Sequence, residues 1–250
     1  RDSPLKREDS YRYYPDGALV VSEGKVMEAG PYDRLKEKYN NAYLTDYSGN
    51  LLMPGLIDSH IHYPQSEMIG MYGKQLLDWL NQYTYPTEEA FASQEHAEKV
   101  ARLFVNELFR NGTTCCMAYA TVHKTSVDAL FSVASEYNMR MLTGKVMMNR
   151  NAPQALTDTE ESGYTDSRAL IESWHKNGRN LYVVTPRFSI TSTHGQLITA
   201  ARLHEEYPDT YIQTHLSENK GEIDSTLSLS PECLDYLEVY ERAGLVTDRS

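Results

Sequence analysis

Two histidines one residue apart, in Asp58-Ser59-His60-Ile61-His62, close an apolar run that begins at Leu56. In a strand, alternate side chains share a face, so the imidazoles of His60 and His62 point the same way. Two neutral imidazoles make half of a site for Zn²⁺ or another divalent ion. Two histidines that merely cap a strand would look the same, so the pair alone leaves both readings open. Gln213-Thr214-His215-Leu216-Ser217-Glu218-Asn219 adds a third imidazole at the end of a later strand-like run, with a carboxylate just beyond it. His215 would complete a facial set with His60 and His62. Glu218, near a metal but not on it, could move protons to and from a metal-activated water.

A third segment, Thr185-Pro186-Arg187-Phe188-Ser189, closes another strand-like run. Arg187 offers a fork of donors for a carbonyl oxygen or a ring nitrogen. Phe188 could wall or stack on a flat ring. A rim salt bridge and a core phenylalanine are the plain alternatives. Gln65, shortly after His62, carries both donors and an acceptor suited to a purine edge, though a solvated loop glutamine is common at such a position. His96, His175 and His204 lie on expected helices among charged neighbours and read as surface residues. His123 could line a pocket, and His194 opens a helix. Leu76, Leu77, Trp79 and Leu80 form an apolar cluster, read as core or as a wall over a flat ligand.

These residues must be held by regular elements, and the pattern supplies them. In the first fifty residues, Gly17–Val21 and Lys25–Glu28 read as two strands around a Glu23-Gly24 turn. A helical turn near Tyr32–Tyr39 and a strand near Ala42–Tyr47 follow. From Leu56 the pattern alternates. Strands are expected at Leu56–His62, Thr113–Ala120, Met139–Met148, Leu181–Ile190 and Tyr211–His215. Helices are expected at about Glu88–Arg110, Ser126–Tyr137, Asp166–Lys176, Gly195–Glu206 and Pro231–Ala243. Five successive β/α units imply a parallel sheet covered by helices, either a closed barrel or an open doubly wound sheet. No G-x-G-x-x-G follows the first strand and no P-loop motif occurs, which removes the main support for nucleotide folds. A first segment, 1–53, and a second, 54–250, divide the chain.

The 250 residues carry a formal net charge of −11, which disfavours nucleic acid as a partner but not a neutral nucleobase. No apolar run is long enough to cross a membrane. The charged start has no apolar segment behind it, so no signal peptide is expected. Cys115, Cys116 and Cys233 have neither disulfide nor zinc spacing and read as reduced thiols of a cytoplasmic protein. Asn111-Gly112-Thr113 matches a glycosylation sequon but reads as a turn after a helix.

Met53-Pro54-Gly55-Leu56-Ile57-Asp58-Ser59-His60-Ile61-His62 resembles the first-strand motif of the amidohydrolase superfamily. His62-Tyr63-Pro64-Gln65, Leu76-Leu77-Asp78-Trp79-Leu80, Thr185-Pro186-Arg187-Phe188 and Thr214-His215-Leu216-Ser217-Glu218-Asn219 narrow the resemblance to the guanine deaminase family. That resemblance implies a (β/α)8 TIM-type barrel with a small β-sandwich, of which about five β/α units and part of the sandwich (1–53) lie in this chain. It implies one Zn²⁺ per subunit on His60, His62 and His215, with Glu218 as the proton shuttle and catalytic residue. It implies that Gln65, Arg187 and Phe188, together with His215 and Glu218, hold guanine, which is deaminated to xanthine and ammonia in purine catabolism. It also implies a homodimer. The family pattern needs a further His and an Asp after later strands, so the sequence reads as an internal part of a longer protein. By that reading residues 1–250 alone would fold poorly and turn nothing over. Two other outcomes stay open: a related amidohydrolase acting on another heterocycle (a triazine, cytosine or modified adenosine), and a non-catalytic scaffold with an incomplete metal site.

Overall fold

The structure, a computed structural model, describes residues 10–73 and 75–250. The chain divides into two compact units, one ending at Met53 and one running Pro54–Ser250. Residues 1–9 of the expected first segment lie outside the described residues.

In the first unit, β1 (Gly17–Ser22) pairs antiparallel with β2 (Lys25–Pro31). The turn between them holds Glu23 at φ 51° and Gly24 at φ 71°. Two successive positive φ angles match the twist of a two-residue hairpin, which is why a glycine sits there. Helix α1 (Tyr32–Lys38) follows and buries Leu35. The Glu28 carboxylate ties the hairpin to the helix end, accepting from Arg34 at 2.8 Å, Lys38 at 2.6 Å and Tyr39 at 3.0 Å. The strand expected at Ala42–Tyr47 does not form. A strand is stable only against a partner ladder, and Tyr43 instead stands 95% exposed.

The second unit alternates strand and helix: β3 (Leu56–His62), α2 (Leu76–Trp79), α3 (Tyr85–Glu89), α4 (Gln94–Arg110), β4 (Thr113–Tyr119), α5 (Lys124–Glu136), β5 (Arg140–Gly144), β6 (Val146–Met147), α6 (Glu160–Trp174), β7 (Asn180–Pro186), α7 (His194–Glu206), β8 (Tyr211–Ile212), α8 (Lys220–Leu229) and α9 (Tyr236–Arg242). All its strand pairings are parallel, and the strands lie in the order β3, β4, β5, β7, β8, with β6 on β7. Spatial order that follows chain order, with helices between, is the right-handed β/α repeat. Among the described residues no strand pairs with the outer edge of β3 or of β8. The expected parallel sheet with covering helices is therefore what forms.

The longer helices α4, α5 and α7 each bury one face. On α4, Ala97, Val100, Ala101, Phe104, Val105 and Leu108 recur at helical spacing and face the sheet. The larger core packs such stripes against Cys116, Ala118, Tyr182 and Val184 of the strands. Within β5, a Cβ on Gly144 would meet the Val183 carbonyl oxygen at 1.8 Å, so only glycine lets β7 approach there. A second apolar cluster, with Tyr119, Val146, Met148, Phe188, Ile190, Leu80 and Tyr85, gathers at the C-terminal strand ends.

Several boundaries differ from expectation, each for a local reason. The α4 helix starts after Ser93, whose hydroxyl accepts the His96 N–H, rather than near Glu88. The α6 helix starts at Glu160 rather than Asp166, because Thr159 and Ser162 form a reciprocal cap. The expected Met139–Met148 strand breaks at Lys145, whose N–H turns to the Tyr182 hydroxyl at 3.2 Å while its ammonium pairs with Asp158 inside the protein. The Leu181–Ile190 strand stops at Pro186, and β8 is cut to Tyr211–Ile212. The α8 helix was not expected; Asn219 and Glu222 cap it reciprocally. The α9 helix starts at Tyr236 rather than Pro231, where the Asp235 side chain accepts the Glu238 N–H. No helix among the described residues is long and apolar enough to cross a membrane.

Candidate metal centre

The β3–β4 register slips between Asp58 and Ile61, so β3 carries a bulge at Ser59-His60. The Asp58 carboxylate accepts the His60 N–H at 3.0 Å and holds it. Bulges re-aim side chains at the ends of strands. Here His60 and His62 end with ring centroids 5.4 Å apart. The end of β8 brings in the third ring, with His215 centred 4.9 Å from His60 and 5.0 Å from His62. One nitrogen from each of the three lies within 4.8 Å of the others.

The Nε2 atoms of His62 and His215 face each other at 3.0 Å. Two nitrogens converging without an intervening group suit two lone pairs meant for one cation. Nδ1 of His215 donates to the Arg187 carbonyl at 2.8 Å, which fixes the tautomer and leaves the Nε2 lone pair facing the cluster. Burial drives the His215 pKa down to about 3, against the raising effect of that carbonyl bond. Burial, with the neighbouring His215, also holds His62 well below the usual histidine range. Both rings are therefore neutral donors at pH 7, the form a metal requires. The donor set fits a divalent transition metal such as zinc.

The histidines line a cavity of about 940 Å³ together with Gln65, Arg187, Phe188 and Glu218. Every residue expected in the site from the sequence thus opens on one space. Leu76, Trp79 and Leu80 form part of its wall, while Leu77 packs on the second apolar cluster. Ile61, Leu103 and Leu108 also line the cavity.

The Glu218 carboxylate is presented by a strained turn. Ser217 lies at φ 57°, a conformation costly for a side chain with a Cβ. The turn is held from behind, because the N–H groups of Glu218 and Asn219 both donate to buried Glu222, at 2.8 and 3.1 Å. Desolvation and the charge of Glu222 raise the Glu218 pKa above the usual carboxylate value.

Arg187 is 2% exposed. Its Nη1 donates to both oxygens of Glu88, at 2.8 and 2.7 Å, and its guanidinium lies 5.5 Å from the Tyr85 ring centroid. This is a buried pair, not the rim salt bridge left open by the sequence. Burial raises the Glu88 pKa and Arg187 opposes it.

Four residues here escaped the sequence reading: Glu88, Tyr119, Glu222 and Tyr240. Tyr119 stacks on His62 at 4.4 Å with the planes 9° apart, because the register sets it opposite His62. Its buried hydroxyl has no partner among the described residues. The Tyr240 hydroxyl donates to the His215 carbonyl at 2.8 Å and accepts the Ser189 N–H at 3.0 Å. Their positions at strand ends or on helices carry no local motif.

The remaining histidines do not join the cluster. His123 caps α5 and does not line the cavity. His194 opens α7 as expected. Of the other three, His175 alone departs from the surface reading. His96 pairs with Glu67 at 2.9 Å, His204 is half-buried against Thr210, and His175, with 7% of its side chain exposed, accepts the Tyr182 N–H.

Residues 51–249 match the amidohydrolase family. The chain belongs to the amidohydrolase family. It is 51% identical to guanine deaminase of Escherichia coli K12 over 98% of the chain and 56% of that protein. The crystal structure of guanine deaminase from Bradyrhizobium japonicum superposes with a TM-score of 0.97 at 37% identity, over 100% of this chain and 55% of that one. That of guanine deaminase from C. acetobutylicum with bound guanine in the active site gives 0.91 at 31% identity, over 97% and 58%. This amidohydrolase chain thus spans just over half the length of the relatives it matches.

Proposed function

We propose that this chain carries the metal-binding and purine-reading part of an enzyme that hydrolyses guanine to xanthine and ammonia. The observation that carries the reading is one cavity in which three imidazoles, Glu218 and the Arg187-Phe188 pair converge. The guanine seen in the C. acetobutylicum relative, which this chain resembles, supports guanine as the ligand.

His60, His62 and His215 would hold one zinc ion per subunit. Bound there, zinc supplies a Lewis acid that acidifies water. Glu218 takes the proton that water gives up and delivers it to a purine ring nitrogen. Its raised pKa suits both halves of that task, since a shuttle works best when its pKa approaches the working pH. Arg187 donates to the purine carbonyl oxygen or ring nitrogen through Nε and Nη2, because Nη1 is already bound to Glu88. Gln65 reads a second edge with its amide. Phe188 walls the ring, and Leu76 and Trp79 exclude water from it. The water oxygen bonds the ring carbon that carries the amino group, Glu218 passes that oxygen's second proton to the amino group, and the C–N bond breaks to release ammonia as the new carbonyl of xanthine forms. A homodimer in the cytoplasm belongs to this reading through the family resemblance.

The test is ammonia release by the protein expressed from its whole coding sequence, with zinc measured by elemental analysis. Guanine is turned over, and adenine, which lacks the 6-oxo group, is slower by about 10⁴-fold, because the site's buried donors would be left unpaired. Equal rates on the two purines refute the guanine assignment. A purified protein with neither zinc nor turnover favours the scaffold.

A further inference from the structure

We propose that Glu88 is a positioning residue that sets the aim of Arg187, and through it the purine selectivity of the site. The inference rests on the guanine reading above.

A guanidinium on a flexible stem has no fixed direction of its own. Arg187 gains one from three constraints. Its backbone is fixed at the end of β7, where its carbonyl accepts from the backbone N–H of His215 at 3.0 Å and from Nδ1 at 2.8 Å. Its Nη1 is clamped by both oxygens of Glu88. Its face lies over Tyr85. Glu88 and Tyr85 both belong to α3, so one short helix grips the guanidinium from two sides.

The clamp is dry. Side-chain exposure is 3% for Arg187 and 1% for Glu88. A buried ion pair of this kind is weak support for stability, because desolvating both charges cancels much of their attraction. It does fix geometry. Arg187 lines the cavity and Glu88 does not, so the carboxylate stands behind the arginine relative to the ligand space. The donors on Nε and Nη2 are then the ones left for a purine.

The same segment supplies the wall. Leu76 and Trp79 lie on α2, and Leu80 opens a turn of π-helix, Leu80–Thr84, that joins α2 to α3. A π-turn is rare and shifts the helix register by one residue. Here it separates the wall from the clamp within one continuous segment. The residues that cover the ring and the residue that aims its reader are thus fixed to each other, and Glu88 makes the joint.

The test is a double-mutant cycle in the full-length, zinc-loaded protein: wild type, Glu88→Gln, Arg187→Met and Glu88→Gln/Arg187→Met. Glu88→Gln raises KM for guanine by roughly 10- to 100-fold, the value of one charge-assisted hydrogen bond to a ligand. It lowers kcat less, and it narrows the preference for guanine over adenine. On the Arg187→Met background the same change shifts KM less than about 2-fold, because the residue it acts through is gone. Zinc content stays at the wild-type level throughout. Glu88→Asp, which keeps the charge but shortens the reach, serves in the same cycle if Glu88→Gln leaves an unpaired arginine that prevents folding. Additive effects in the two backgrounds overturn the inference, as does an unchanged KM. Wild-type protein that does not act on guanine overturns the proposed substrate and this inference with it. Turnover by wild type with an additive cycle overturns the inference alone.

Discussion

Replacing Tyr240 with Phe removes one oxygen that holds two parts of the site together. That oxygen donates to the His215 carbonyl at 2.8 Å and accepts from the Ser189 N–H at 3.0 Å and the Thr214 hydroxyl at 3.1 Å. The three losses are unequal. Thr214 keeps a second acceptor, the Arg187 carbonyl at 3.3 Å. The His215 carbonyl loses a donor, which buried carbonyls tolerate better than N–H groups tolerate losing an acceptor. The Ser189 N–H is the expensive one, since Ser189 is 1% exposed. An orphaned buried donor costs about 1–3 kcal/mol, so the variant loses about 2 kcal/mol of stability. Urea unfolding of the full-length protein reads this as a lower midpoint at unchanged m-value. The same oxygen steadies the backbone of His215, so zinc affinity falls by about 10-fold, the lower end of what such outer partners contribute. A variant with wild-type midpoint and wild-type zinc affinity would show that the Ser189 and His215 backbones are held by something other than this hydroxyl.

Three further outcomes follow from the site. On the proposed mechanism, Glu218→Gln keeps zinc and guanine binding but lowers kcat by about 10²- to 10⁴-fold, since it removes the proposed proton carrier and not a metal ligand; steady-state kinetics with elemental analysis separates the two. Ser217→Val lowers stability by about 1–2 kcal/mol relative to Ser217→Gly, because a β-branched side chain resists the left-handed turn, and paired urea titrations measure the difference. His175 has its pKa lowered by burial, against the opposing pull of Asp209. Between its folded and its unfolded value the unfolded chain holds more protons, so stability is full above about pH 6.5 and falls as the pH drops towards the folded value. In His175→Gln that part of the decline is absent, and unfolding midpoints from pH 7 down to 5 would reveal a decline of unchanged size if the reasoning fails.

The chemistry was more legible than the geometry that holds it. His60, His62, His215, Glu218, Gln65 and Arg187-Phe188 all carry local signals, because a strand end followed by a polar residue is a short-range pattern. Their convergence on one cavity follows from parallel β/α alternation, which is also short-range. Glu88 could not be read this way. It lies 99 positions from Arg187, and nothing near it in sequence says that it faces a cation. The false helical start near Glu88 hid it further, since a solvated helix carboxylate is the ordinary reading. Tyr119 depends on a bulged register that alternation alone does not contain. The expected Ala42–Tyr47 strand failed for the converse reason: its residues favour a strand, but strands are made by partners.

Arg187 is committed at both ends, its carbonyl to His215 and its guanidinium to Glu88. This makes the two halves of the site difficult to evolve separately. A substitution that moves the end of β7 to suit a different ring would also turn the imidazole of His215. Changes of substrate range should therefore accumulate at Gln65, Leu76 and Trp79, which touch the cavity without holding a histidine. A library confined to those positions would sample new heterocycles while keeping the metal, whereas one centred on Arg187 would mostly sample loss of function.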